Sequence, residues 1–324
     1  MATTSRKDSL TYAIVGTGAV GGLYGACLQK AGHTVHFLAH SDAEYIAQHG
    51  LEVESPWGDI SLPQVHVYSR TNDMPACDVV CVCLKSTMNH LLPRLLPPLL
   101  HPGTVILLMQ NGLGAEEEMA ALFPSALVAG GLCYVASNKA GPGHIRHIGE
   151  GNVLLGAHSN GMQDLINRIR SDFTAAGVPC TVDPSLFDAR WRKLVWNIPY
   201  NGLSVVLNVE TDRIMAHPSS RALVADIMKE VVLGNHACGG TIEEGYIAEL
   251  MAVTDRLKPY SPSMKLDYEA ARPLEVEYIH RRPVAAARAA GFEMARVEAL
   301  AAELEFLDAQ RRGEFAADRK TLNN

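Results

Sequence analysis

The segment Gly16-Thr17-Gly18-Ala19-Val20-Gly21 restricts this chain's fold more than any other feature of it. It follows the apolar run at residues 11–15 (TYAIV) and opens a helical stretch that continues to about Lys30. In a strand–turn–helix of this kind the first glycine makes the tight turn. The second lets a pyrophosphate approach the backbone, and the third lets helix and strand pack closely. Helix N-terminal N–H groups then face the phosphates. Gly16, Thr17, Gly18, Ala19, Val20 and Gly21 are therefore the candidate cradle of a dinucleotide; the alternative is a tight βα turn with no ligand.

The rest of the N-terminal half repeats the alternation. Residues 34–39 (TVHFLA) read as a second strand and 42–49 as a helix, with short strand-like segments over 51–68. Residues 78–84 (DVVCVCL) and 104–109 are further buried strands. Strands alternating with helices imply a parallel, doubly wound sheet. Glycine-rich pieces at 127–137, 144–148 and 152–157, a helix near 162–177 and a strand at 179–182 read as the far edge of that sheet, antiparallel in part. After Pro184 the patterns are helical, near 185–208, 219–236, 241–257, 264–290 and 294–311. The expected organisation is α/β: a Rossmann-type doubly wound domain over 1–184, then an all-helical domain over 185–324. Residues 1–10 read as a loose polar arm and the tail from about 312 as frayed.

In open α/β sheets, ligands lie outside the carboxyl ends of the strands. Lys85 and Asn111 each follow a buried strand and fall there, although Asn111-Gly112 also suits plain turn chemistry and Lys85 an ordinary solvated lysine. At the end of the second strand an acid would take the ribose hydroxyls of NAD. This chain has Ala39, His40 and Ser41 there, and Asp42 falls slightly late. His40 and Ser41 suit a 2′-phosphate, so the expected cofactor is NADP(H); His40 as a simple loop residue is the alternative.

Lys193, Asn197 and Asn201 recur at i, i+4 and i+8 within WRKLVWNIPYN, on one face of a helix otherwise mostly Leu, Val, Trp, Ile and Tyr. A helix apolar nearly all round is buried. Its polar stripe then faces a partner or a wet cleft, because buried polar groups need hydrogen bonds. Pro199 within this run is expected to kink it. Farther on, Ser261 and Pro262 read as N-cap and first residue of a helix bearing Glu269, Arg272, Glu275 and Glu277, among which spacing alone does not choose.

The chain carries 35 acidic and 28 basic residues, a formal net charge of -7, which argues against nucleic-acid or anionic-membrane partners. Seven cysteines, an odd number with no C-x-x-C pair, point to a reducing, cytoplasmic compartment rather than a disulfide framework. No apolar run reaches the ~18 residues of a membrane span. No metal site is evident; His144 and His147 stand alone.

With these residues in place the chain resembles the ketopantoate reductase (2-dehydropantoate 2-reductase) family. The resemblance runs from about Tyr12 to Asp308 and is carried by AIVGTGAVGGLYGACLQKAGHTVHFLAH, DVVCVCLKS, VILLMQNGLGAEEE, GHIRHIGEGNVLLG, WRKLVWNIPYNGLSVVLN and SPSMKLDYEAARPLEVEYI. It implies NADPH-dependent reduction of the 2-oxo acid 2-dehydropantoate to pantoate, for pantothenate and coenzyme A. Lys193 would be the catalytic lysine and general acid, and Glu275 the catalytic acidic residue. Ser263, Asn197 and Asn201 would contact substrate, and Lys85 and Asn111 would be crevice residues touching cofactor, Asn111 also substrate. Where the family often has arginine this chain has His40. Leu274-Glu275-Val276-Glu277 replaces Thr-Glu-Ile-Asp, and His280-Arg281 replaces Asn-Gly. These differences leave room for another 2-oxo acid, as in D-2-hydroxyacid dehydrogenases. The rival from another class is a non-catalytic NADP(H)-responsive regulator, and the assembly leaves room for a homodimer.

Overall fold

A computed structural model describes residues 9–315. Most of the expected N-terminal arm and of the frayed tail lies outside the described residues. The chain packs as two units: residues up to Gln110 with Ala115–Leu186, and Asn111–Gly114 with Phe187 onward.

The first unit is built on one mixed sheet. Strands β1 (Tyr12–Val15), β2 (Val35–Leu38), β3 (Leu51–Glu54), β4 (Ile60–Leu62), β5 (His66–Tyr68), β6 (Val79–Val82), β7 (Val105–Leu108), β8 (Leu127–Gly141) and β9 (His144–Ala157) lie in the order β4-β3-β9-β8-β7-β6-β1-β2-β5. A tenth, β10 (Cys180–Val182), pairs parallel with β9. Strands β1, β2, β6 and β7 are buried along their whole length, as expected for a parallel core covered on both faces. The helices are α1 (Ala19–Lys30), α2 (Ala43–His49), α3 (Leu92–Leu95), α4 (Ala115–Leu122) and α5 (Gln163–Ala175). The core between sheet and helices gathers Tyr12, Ile14, Leu23, Phe37, Ile166 and Phe173.

The pieces expected at 127–157 form a single long antiparallel hairpin, β8–β9, with register shifts near Tyr134, Ala136 and Lys139. Those irregularities break the period-2 pattern, which is why the strands read as fragments. The hairpin is not the sheet's edge. Beyond β9 lie β3, parallel to it, and then β4, antiparallel to β3. In β3, Leu51 and Val53 are buried while Glu52 and Glu54 are exposed, a period of two that marks a strand and leaves its neighbour unspecified.

The second unit is helical: α6 (Leu186–Val206), α7 (Thr211–Ala216), α8 (Pro218–Ala237), α9 (Gly245–Arg256), α10 (Ser263–Glu269), α11 (Arg282–Ala289) and α12 (Ala295–Arg311). Its core includes Trp191, Leu194, Ile198, Met228, Ile279 and Leu304. Helix α6 runs unbroken through Pro199. The single helix expected over 264–290 is instead three pieces. Helix α10 ends where Ala271 takes a φ of +51° ahead of Pro273, and a π-helical turn at Glu277–Arg281 leads into α11. Proline and a left-handed residue interrupt the backbone, although the apolar period continues across them.

Buried acids tie the helices together. The Asp188 carboxylate on α6 accepts from Asn235 Nδ2 (3.1 Å), Thr241 N (3.1 Å) and Thr241 Oγ1 (3.2 Å), anchoring the end of α8. Glu230 on α8 accepts from the Arg296 and Val297 amides and so caps α12 from outside. All seven cysteines are free, and no described helix is long and apolar enough to cross a membrane.

Candidate functional site

The glycine loop has the geometry a dinucleotide needs. Gly16 has φ +104°, and a Cβ there would lie 2.9 Å from the Leu84 amide nitrogen. A Cβ on Gly21 would lie 2.2 Å from the Gly16 carbonyl oxygen, so only glycine lets α1 settle on β1. A Cβ on Gly18 would meet nothing within 4 Å: the middle glycine borders open space, as backbone approached by a ligand must. The first intrahelical bond runs from Gly22 N to Gly18 O (2.8 Å), so the amides ahead of it lack partners within the helix. The Thr17 amide and hydroxyl both donate to the Leu38 carbonyl (3.1 and 2.9 Å), so this side chain locks the loop to β2. Ala19 and Val20 form the first turn of α1 and are partly exposed.

His40 and Ser41 are exposed just past β2. Asp42, which would have been the ribose ligand of an NAD enzyme, is only 5% exposed. Its carboxylate is held by Lys139 Nζ at 2.8 Å and by the Gly143 amide at 3.1 Å. Lys85 is exposed at the carboxyl end of β6, where the chain enters a 3₁₀ segment.

The other candidates all belong to the helical unit. Lys193, Asn197 and Asn201 lie along α6 and are 8%, 7% and 2% exposed, a polar stripe on a helix buried nearly all round. Asn201 Oδ1 accepts from the Met264 amide (3.2 Å), the second residue of α10. It thereby caps the helix whose first residue is Ser263. The expected cap by Ser261 is not formed: Pro262 holds the N-cap position and Ser261 Oγ donates to Glu210 (2.9 Å). Proline has no side-chain acceptor, so the cap comes from another helix. Asn197 makes no side-chain hydrogen bond to any described residue.

Glu275 is 4% exposed, and its carbonyl accepts from Ile279 N at 3.1 Å. The Asn111 segment packs against the same stretch: Leu113 N donates to Tyr278 O (2.9 Å) and Arg282 donates to Gly114 O (2.9 Å). A Cβ on Gly112, whose φ is +102°, would come within 2.6 Å of the Tyr278 carbonyl oxygen. The Asn-Gly pair is thus both a turn and a close contact. Buried His280 bonds the Ile198 carbonyl through Nε2 (3.2 Å), linking the Glu275 segment to the stretch of α6 between Asn197 and Asn201. Nothing in the local pattern marked this contact. One unit therefore gathers Lys193, Asn197, Asn201, Ser263, Glu275 and Asn111. The glycine loop, His40 and Lys85 belong to the other.

A dinucleotide fingerprint on a mostly parallel sheet, joined in one chain to a helical unit bearing a nearly buried lysine, glutamate and asparagines, defines a nicotinamide-dependent oxidoreductase. The profile described as ketopantoate reductase PanE/ApbA matches residues 12–160, and that of its C-terminal domain matches residues 185–308. The chain belongs to the ketopantoate reductase family. It is 47% identical to the 2-dehydropantoate 2-reductase of Nostoc sp. over 95% of this chain and 98% of that protein. The crystal structure of 2-dehydropantoate 2-reductase from Geobacter metallireducens superposes with a TM-score of 0.89 at 43% identity, covering 91% of this chain and 99% of that one. A D-mandelate dehydrogenase solved with NADH and anilino(oxo)acetate shares the fold, with a TM-score of 0.86 at 19% identity, covering 93% and 99%.

Proposed function

We propose that this protein reduces the C2 ketone of 2-dehydropantoate to the alcohol of pantoate with NADPH. The observation that carries the reading is the stripe Lys193–Asn197–Asn201 on a helix otherwise buried in apolar packing, with α10 capped by that stripe and Glu275 buried in the segment that follows α10. When bound, the nicotinamide supplies the hydride that reduces C2. Lys193 supplies the proton: its Nζ–H bond breaks as the new O–H bond forms, and its positive charge stabilises the developing alkoxide. Asn197, unpartnered among the described residues, orients the acid through its amide without adding charge. Asn201 has its oxygen committed to Met264, so its bond to substrate comes from Nδ2. Ser263 offers a hydroxyl next to that cap, and Glu275 accepts a hydrogen bond from a substrate hydroxyl. On the cofactor side, the glycine loop and the amides of the first α1 turn hold the pyrophosphate, and Lys85 and His40 offer positive or donating groups to phosphate and ribose.

Oxidation of NADPH against a panel of 2-oxo acids that includes 2-dehydropantoate tests this. The expected result is the highest kcat/KM on 2-dehydropantoate, with NADPH favoured over NADH. A larger kcat/KM on another 2-oxo acid would move the substrate to that acid. His280 and Arg281, standing where the family commonly has Asn-Gly, are the feature that favours this second reading.

A further inference from the structure

The loop between β2 and α2 contains one carboxylate, Asp42, and the structure accounts for where it goes. In a doubly wound sheet an acid at this turn binds the ribose hydroxyls of NAD, and the same charge repels a 2′-phosphate. Asp42 is 5% exposed, with the Lys139 ammonium 2.8 Å from Oδ2 and the Gly143 amide donating to that same oxygen at 3.1 Å. Both partners come from the tip of the β8–β9 hairpin. The tip is itself wedged in place. Gly143 O accepts from Glu52 N on β3 at 2.8 Å. Gly143 has φ +62°, and a Cβ there would lie 2.9 Å from the Gly50 carbonyl oxygen and 3.1 Å from the Tyr45 ring on α2. A carboxylate taken out of water needs a paired charge and further hydrogen bonds, and the hairpin tip supplies both. The residues left exposed on the loop, His40 and Ser41, carry no negative charge.

We propose that Lys139 is a cofactor-selectivity residue acting through Asp42: by pairing with it, the hairpin tip withholds the carboxylate from the ribose pocket and makes the turn tolerant of a 2′-phosphate. The inference rests on the NADPH reading above and deepens it. Released from Lys139, Asp42 is the only acid of the 39–42 loop and swings out toward water, where it accepts from ribose hydroxyls and repels phosphate.

The test is kcat/KM with NADPH and with NADH for the wild type, Lys139→Met, Asp42→Asn and the double variant, with a melting curve for each. The wild-type ratio alone judges the NADPH reading; an NADH-favouring wild type contradicts that reading. The change of ratio between variant and wild type judges the role of the pair. For Lys139→Met the NADPH/NADH ratio should fall by about tenfold or more, through KM for NADPH, as like-charge juxtaposition predicts. Asp42→Asn should leave the ratio within about threefold of the wild type, because the carboxylate is already withheld, and adding it to Lys139→Met should restore the ratio to that range. An unchanged ratio in Lys139→Met overturns the proposal. So does a lowered ratio that persists in the double variant, which would make Lys139 a direct phosphate ligand. Should Lys139→Met not fold, Lys139→Gln takes its place with the same expectations. A rise of about tenfold in the ratio of Asp42→Asn would mean that the carboxylate already acts on the cofactor in the wild type, and the proposal fails.

Discussion

His280 Nε2 lies 3.2 Å from the Ile198 carbonyl oxygen. The carbonyl can only accept, so Nε2 carries the hydrogen and Nδ1 is bare, buried and without a hydrogen-bond partner among the described residues. The contact spans from the π-helical turn after Glu275 to the residue that follows Asn197. It ties two candidate site segments together through one imidazole ring and one backbone carbonyl.

This burial has a consequence for acid stability. Loss of water around the ring pulls the His280 pKa down from 6.5 to about 4. Between those values the unfolded chain binds a proton that the folded protein refuses, so stability falls as pH drops through that window and is fully present above it. The upper bound on the effect is about 3 kcal/mol at 1.36 kcal/mol per unit. Denaturant melts of wild type and His280→Asn across pH 4–7 should show the wild type losing more stability toward acid, by a slope of about one proton. Parallel curves would assign the acid sensitivity elsewhere.

Lys193→Ala should lower kcat by ~10²–10⁴-fold, since both the proton and the alkoxide charge partner are lost as charge develops. Binding of NADPH, followed by fluorescence titration, should barely change. A variant that keeps most of its kcat on its best 2-oxo acid would remove Lys193 from the general-acid role.

Asn197→Ala and Asn201→Ala should separate. Asn201 caps α10 through the Met264 amide, and losing a cap costs about 1 kcal/mol, rising toward 2 where the orphaned donor is buried. Asn197 has no such structural bond. Both variants should raise KM for the keto acid, and only Asn201→Ala should also lower Tm. Equal melting temperatures for the two would contradict the capping role.

Asp188→Ala should destabilise the helical unit by about 2–4 kcal/mol, because Asn235 Nδ2 and the Thr241 amide are left without their acceptor. Asp188→Asn keeps one acceptor oxygen and should lose less. Calorimetry on the two variants orders them, and equal losses would argue that charge rather than hydrogen bonding anchors α8.

The sequence by itself determined the features that repeat locally. The glycine loop, the buried strands around it, and the i, i+4, i+8 stripe on α6 were legible because each depends on periodicity within about twenty residues, which tells which face is buried. Tertiary structure alone decided what each face is buried against. Strand β3 lies beyond β9 rather than beside β2, since its alternating pattern suits either position. The cap of α10 comes from Asn201, 63 residues away, the hairpin tip reaches Asp42 across 101 residues, and His280 meets Ile198 across 82. Such pairs satisfy buried polar groups whose partners local spacing cannot name, because a hydrogen bond depends on where two backbones arrive in space.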